Sequence, residues 1–144
     1  MHVEGLLRSK GDDVATVGPD ATVGVVVAAL AERRVGALVV TADGVSVDGI
    51  VSERDVVRAL AEHGAGLLDH PVSSIMTGEV HTCSLSTTVD ELSSLMTEGR
   101  YRHMPVVVDG RLVGIVSIGD VVKNHIRTLE HETAALQEYI TQGR

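Results

Sequence analysis

Aromatic side chains are nearly missing from this 144-residue chain: it has no Phe, no Trp and two Tyr. Its core must therefore be built from Val, Leu, Ile, Ala and Met. The stacking platforms on which single-stranded nucleic acid is held are not supplied. Cationic side chains are scarce too, with 12 Lys and Arg against 20 Asp and Glu and a formal charge of −8. That balance argues against a binder of phosphate backbones, while leaving room for a local basic patch. The single cysteine, Cys83, excludes an internal disulfide and suits a reducing cytosol. The longest apolar run, Val25 to Ala31, is far too short to span a bilayer. The opening Met1-His2-Val3-Glu4 lacks the basic-then-apolar order of a signal peptide. A cytoplasmic chain with neither membrane nor nucleic-acid partners is expected.

What the chain does contain is a repeat. Gly49-Ile50-Val51-Ser52-Glu53-Arg54-Asp55-Val56-Val57-Arg58 recurs as Gly114-Ile115-Val116-Ser117-Ile118-Gly119-Asp120-Val121-Val122-Lys123. The apolar trio before each Ser reads as a buried strand, and Ser-x-x-Asp reads as a helix start. The repeat extends upstream. Val80-His81-Thr82-Cys83 matches Val14-Ala15-Thr16-Val17 at a spacing of 66, and Thr88-Val89-Asp90-Glu91 matches the helix start at Thr22. After the turns at Asp43-Gly44 and Asp109-Gly110 the spacing falls to 65, so the first hairpin loop holds one extra residue.

The predicted order in each half is β-α-β-β-α. In the first half the strands are 14–17, 35–41 and 47–52. One helix runs from the Thr22 cap to about Arg34, with Val23, Val26, Val27 and Leu30 inward. The next starts at Ser52 and turns Val56, Val57 and Leu60 inward. A short helix over 3–9 precedes the first half, and Val72 to Met76 mirrors it before the second. Neither half is large enough to bury its sheet alone, so the two are expected to pack about a pseudo-twofold axis with related grooves between them. The division is 1–66 for the first repeat with its N-terminal segment, 67–126 for the second, and 127–144 for a C-terminal helix. In that tail Ile126, Leu129, Thr133, Leu136 and Ile140 recur at helical spacing, a stripe that a homodimer contact would bury.

Seven His raise the question of a metal. His131-Glu132-Thr133-Ala134-Ala135 lacks the second His of a zinc-protease helix, and His81-x-Cys83 has no further Cys to complete a site. No metal is expected. There is no phosphate-binding Gly-rich loop, no dinucleotide fingerprint and no assignable catalytic base, so no catalytic residues are expected and the chain reads as a non-enzyme.

Paired β-α-β-β-α repeats that each close on Gly-Ile-Val-Ser-x-x-Asp resemble a tandem CBS-domain pair, a Bateman module, of the small stand-alone type. The matching stretches are Thr16 to Leu60 and Thr82 to Ile126, with Val35-Gly36-Ala37-Leu38-Val39-Val40 and Arg102-His103-Met104-Pro105-Val106 inside them. The resemblance implies an α/β (α+β) fold and a cytosolic regulatory module. Such a module binds an adenosine-containing ligand (AMP, ADP, ATP, S-adenosylmethionine or NAD(H)), forms a homodimer and signals to a partner protein that the sequence does not name. It implies that Asp55 and Asp120 grip a ribose diol and that Ser52 and Ser117 stand at the same helix starts. It implies an adenine slot at Ala15, Val35, Gly36 and Ile50 in the first half, and at His81, Tyr101, Arg102 and Ile115 in the second. Arg54 in the first half, and Arg100, Arg102 and His103 in the second, are the candidate phosphate cations. The competing reading is a ligand-free dimeric scaffold, since Ser-x-x-Asp is also a complete helix cap.

Overall fold

The computed structural model describes residues 1–143. The elements run α1 (Val3–Lys10), β1 (Thr16–Val17), α2 (Val23–Arg33), β2 (Ala37–Val40), β3 (Gly49–Ser52) and α3 (Glu53–His63). Two 3-10 turns (Gly64–Asp69 and Val72–Ser74) lead to α4 (Val89–Gly99), β4 (His103–Val108), β5 (Arg111–Ser117) and α5 (Ile118–Gln142). This mixed α/β arrangement is the one expected, with small sheets covered by helices.

The helix starts follow the hydroxyl positions. Thr22 Oγ1 accepts from Val25 N, and Thr88 with Glu91 forms a full capping box. Both Ser52/Asp55 and Ser117/Asp120 do the same at α3 and α5. Each box satisfies N–H groups that have no partner inside the helix.

The first sheet has the order β1-β2-β3, with β1 parallel and β3 antiparallel to β2. The second contains only β4 and β5, antiparallel and closed by the two-residue turn Asp109-Gly110, both at positive φ. The strand expected over 80–83 is reduced to one parallel bridge, Cys83 to Val106. The cause is Pro105. At the matching place in the first half Val39 N donates to Ala15 O at 3.1 Å, and proline has no N–H to repeat that bond. The third strand is also shorter than expected, starting at Gly49 rather than 47. Asp43 folds the preceding loop onto itself, accepting from Val45 N at 2.8 Å and Ser46 N at 2.7 Å. Those N–H groups, Ser46 first, hold its carboxyl down to about 2.

Two apolar cores form, and each takes its lid from the other half of the chain. Val3, Leu6 and Leu7 of α1 are buried in the second core, beside Leu92, Met96, Met104 and Val116. Leu67 and Val72, which precede the second repeat, are buried in the first, beside Val26, Leu38 and Val51. The backbone contacts match: Val3 N donates to Thr87 O at 2.8 Å, and Val72 N donates to Ala21 O at 2.7 Å. The repeat glycines make room for these lids. A Cβ on Gly114 would stand 2.7 Å from Leu7 Cδ1, and one on Gly49 would stand 2.5 Å from Met76 Sδ. So the cores do not follow the sequence boundary near 66, because each repeat alone leaves its sheet uncovered.

Some expected core positions lie at the surface. Val27 is 38% exposed, Val57 65% and Leu60 38%. In α2 the burial falls on Val23, Val26 and Leu30 alone, and in α3 it falls on Val56 and Ala59. Cys83 is buried against the Pro105 carbonyl, and burial pushes its thiol up to about 11. That value keeps it a packed, protonated side chain.

The exchange of lids makes a specific prediction. Leu6→Ala removes buried methyl groups from the second core and should destabilise the protein by about 2–5 kcal/mol. Denaturant melts measure the loss. Amide exchange should accelerate first in β4 and β5, although Leu6 precedes the first repeat in the chain; first loss of protection in β1–β3 would contradict the exchange.

Candidate functional site

A cleft of about 250 Å³ opens where the halves meet. One wall is the end of β3 and the first turns of α3, with Ile50, Ser52, Glu53, Arg54, Asp55 and Arg58. The opposite wall is the chain leading into the second repeat, Thr77 to His81, and the turn from α4 into β4, Arg100 to His103. Gly36 and Ala37 close the end.

Local sequence explains how these groups are aimed. Ser52 ends an edge strand and caps α3, so Asp55 is held one turn in, beside the helix N-terminus. Asp55 Oδ2 accepts from Ser52 N at 2.9 Å and from Ser52 Oγ at 3.0 Å. Among the described residues Oδ1 has no such partner and is available to a ligand. Arg58 lies three residues further along the same helix face. On the other wall α4 ends at Arg100 in the left-handed region, φ 59°, which swings Tyr101 and Arg102 out of the helix line. The Tyr101 ring lies over Gly99, where a Cβ would collide with it. It also stacks on His81 with ring centroids 4.5 Å apart and planes 27° from parallel. The chain thus places an aromatic pair in the cleft lined by Arg54, Arg58, Arg100 and Arg102.

The charge is local. Four arginines (Arg54, Arg58, Arg100 and Arg102) face three carboxylates (Glu53, Asp55 and Glu79) in a chain whose total is −8. Such a concave cationic patch focuses field on an anionic ligand. His103 sits between the halves, its ring 3.2 Å from the place a Gly36 Cβ would take. Burial first, and then the Lys10 charge, lower its pKa from 6.5 against the pull of Asp120 and Glu53. It is therefore a neutral ring at pH 7.

Nine expected residues come together here: Gly36, Ile50, Ser52, Arg54, Asp55, His81, Tyr101, Arg102 and His103. Five do not. Ala15 and Val35 pack against the first core. Ile115, Ser117 and Asp120 lie on the other side of the pseudo-twofold, where Asp120 lines a separate groove of about 290 Å³ with Lys10, Lys123 and Arg127. The grouping by half is corrected accordingly: the helix start of one half faces the strand entry of the other, so Ile50 and Asp55 meet His81 and Tyr101 rather than Ala15 and Val35. Arg100, a candidate cation, lines the cleft as well, and Arg58, Thr77, Glu79 and Val80 line it without having been expected. Arg58 was legible from its helical spacing to Asp55; the others required the packing of the halves.

At Asp120 the surroundings differ. Lys10 Nζ donates to Asp120 Oδ2 at 2.7 Å and to Ile115 O at 2.8 Å. Burial opposes charge on Asp120, yet the Lys10 ammonium and the Ser117 N–H hold its carboxyl below the usual range. Among the described residues no three His, Cys, Asp or Glu side chains converge as a metal site requires. No helix there is long and apolar enough to cross a membrane.

Comparison with known proteins follows the same outline. The family model for the CBS domain matches twice, over residues 8–62 and 72–126. A mitochondrial CBS domain-containing protein of Arabidopsis thaliana is 38% identical over 128 residues, which are 86% of this chain and 62% of that protein. This chain therefore spans under two thirds of that relative's length. The crystal structure of a CBS-domain containing protein from Agrobacterium tumefaciens superposes with a TM-score of 0.84 at 48% identity, covering 87% of this chain and 99% of that one. A CBS domain protein from Pyrobaculum aerophilum, complexed with AMP, gives a TM-score of 0.75 at 32% identity, covering 83% and 89%.

The environment of His103 makes stability pH-dependent. The folded state resists its protonation, so the unfolded chain takes up the proton first as pH falls below 6.5. The contribution is intact above 6.5 and is lost as pH falls from there through the lower folded value. Urea melts at pH 7.5 and 5.5 should show a larger loss for the wild type than for His103→Gln. Equal losses would contradict the shift.

Proposed function

The chain belongs to the CBS-domain family as a tandem pair, and from that premise we propose that it is a regulatory module that senses an adenosine nucleotide in the Asp55 cleft. The observation that carries this reading is the open cleft in front of Asp55, with two arginines on each wall. A ribose diol can donate two hydrogen bonds to one carboxylate, a charge-assisted pair. The N-terminus of α3 and the arginines suit phosphate. Ile50 and the His81–Tyr101 stack offer an apolar face to adenine. AMP, ATP and NAD(H) all carry these parts, and four arginines favour more than one phosphate. The AMP complex of the Pyrobaculum relative supports the same ligand chemistry.

Sensing requires that ligand bind two arrangements unequally. The cleft walls come from different halves, so a ligand that bridges them favours one relative tilt, and a partner protein reads the change. This role is regulatory rather than catalytic, and the buried thiol of Cys83 is compatible with a reducing cytosol. The specific observation for the scaffold reading is that both Ser-x-x-Asp boxes are complete without ligand. Capping occupies only Oδ2 of Asp55, so the two roles coexist.

The same reading includes a homodimer through α5. This helix runs 25 residues, and beyond its first turns it exposes Ile126 (50%), Leu129 (61%), Leu136 (62%) and Ile140 (54%). With Thr133 they alternate at spacings of three and four, with Ile and Leu at the two seam positions. That is the pattern of a parallel two-stranded coil. In proteins most helical stability comes from packing an apolar face, and a partner on this stripe would supply it.

Two experiments test these proposals. Calorimetry with AMP, ATP and NADH should detect binding, and Asp55→Ala should weaken it about 10- to 150-fold, the worth of charge-assisted hydrogen bonds. Absence of heat with all three at millimolar concentration refutes the sensor. If the cleft is only a cap, Asp55→Ala lowers stability by about 1 kcal/mol and changes no ligand response. For the dimer, light scattering should give twice the chain mass for wild type and the single mass for Leu129→Glu/Leu136→Glu; an unchanged mass would contradict an α5 interface.

A further inference from the structure

The geometry points to Lys10 as an internal occupant of the second Ser-x-x-Asp unit: it holds Asp120 and the Ile115 carbonyl, so that each chain takes one adenosine ligand rather than two. The inference rests on the nucleotide reading of the first cleft.

The two halves solve the same local problem differently. In the first, the edge carbonyl of Ile50 accepts from Thr77 N at 2.9 Å, and Thr77 O takes the Ile50 N–H at 3.0 Å. The turn before it is only Val72–Ser74, so the backbone is extended again by Thr77, and the Met76 side chain lies over Gly49. In the second half the matching segment is α1, which stays helical for eight residues to Lys10. Gly11 N bonds back to Leu7 O, and Ile115 O takes its donor from the Lys10 ammonium instead.

At the repeat spacing of 66 Lys10 matches Met76 in the sequence, while Leu7 fills over Gly114 the place that Met76 fills over Gly49. The Lys10 Nζ gives Asp120 Oδ2, which also accepts from Ser117 N, a cationic donor that Asp55 Oδ2 lacks. The pair is partly shielded, with side chains 30% and 17% exposed, so it is less screened than an open surface pair. It is also anchored. Val3, Leu6 and Leu7 fix α1 in the second core, and Arg127 Nη1 donates to Ser9 Oγ at 2.9 Å. A diol approaching Asp120 meets a carboxylate whose charge is already compensated by an ammonium on Oδ2, which weakens the charge-assisted bonds that Oδ1 could still accept. At Asp55 nothing equivalent intervenes, since Met76 carries no charge.

The test counts ligands on the full chain, titrating AMP and ATP separately by calorimetry. Wild type should bind one per chain, and Lys10→Met, which copies the first half, should bind two. Lys10→Gln supplies a second variant should the first fold poorly. Amide exchange locates the ligand: protection over 50–58 in wild type, and over both 50–58 and 115–123 in the variant. Adding Asp120→Ala to Lys10→Met should return the count to one. A wild-type count of two, or a count of one in both folded Lys10 variants, overturns the role of Lys10 while leaving the sensor reading intact. No binding to any form overturns both.

Discussion

The structure depends on the exchange of leading segments over two glycines. Each repeat forms a sheet with helices on it and leaves one side of the core open. The segment before the first repeat covers the second core, and the segment before the second covers the first. Gly114 and Gly49 allow the approach, since any Cβ there would press into Leu7 or Met76. Because neither core is complete without the other half, the repeats are locked side by side. The cleft is a consequence of that lock: its walls come from different halves because the cores do.

On this near-symmetric frame a few substitutions between the copies make the two sides chemically different. Pro105 against Val39 removes a ladder hydrogen bond and with it most of a strand. Gly119 against Arg54 withholds a cation from the second helix start. Lys10 against Met76 places an ammonium on Asp120. The result is one open cleft lined with four arginines and one carboxylate already paired. Four of the twelve cations of an acidic protein thus line the cleft where a phosphorylated ligand would meet them, and His103 lies at the junction as a neutral ring.

Much was legible without coordinates. The two capping boxes, Thr22 and Thr88 as caps, and the hairpin turn at Asp109-Gly110 all follow from residues within four positions of one another. Such contacts are dictated by helical and turn geometry alone. So is the resemblance to the CBS pair, which rests on local motifs repeated in order. The inward faces of α2 and α3 were read less well. Val27, Val57 and Leu60 have the right spacing but face away from the sheets, and periodicity cannot say how a helix is rolled against its neighbour.

By itself the sequence determined the elements, their caps, the internal repeat and the type of residue available at each helix start. Only the tertiary structure decided which half supplies each wall of the cleft, because that follows from lids exchanged over tens of residues. For the same reason it alone set Asp55 before an open, Arg-lined space and Asp120 against Lys10, 110 positions away in the chain. A carboxylate's role depends on the charge that packing brings to it, and local spacing carries no record of that charge.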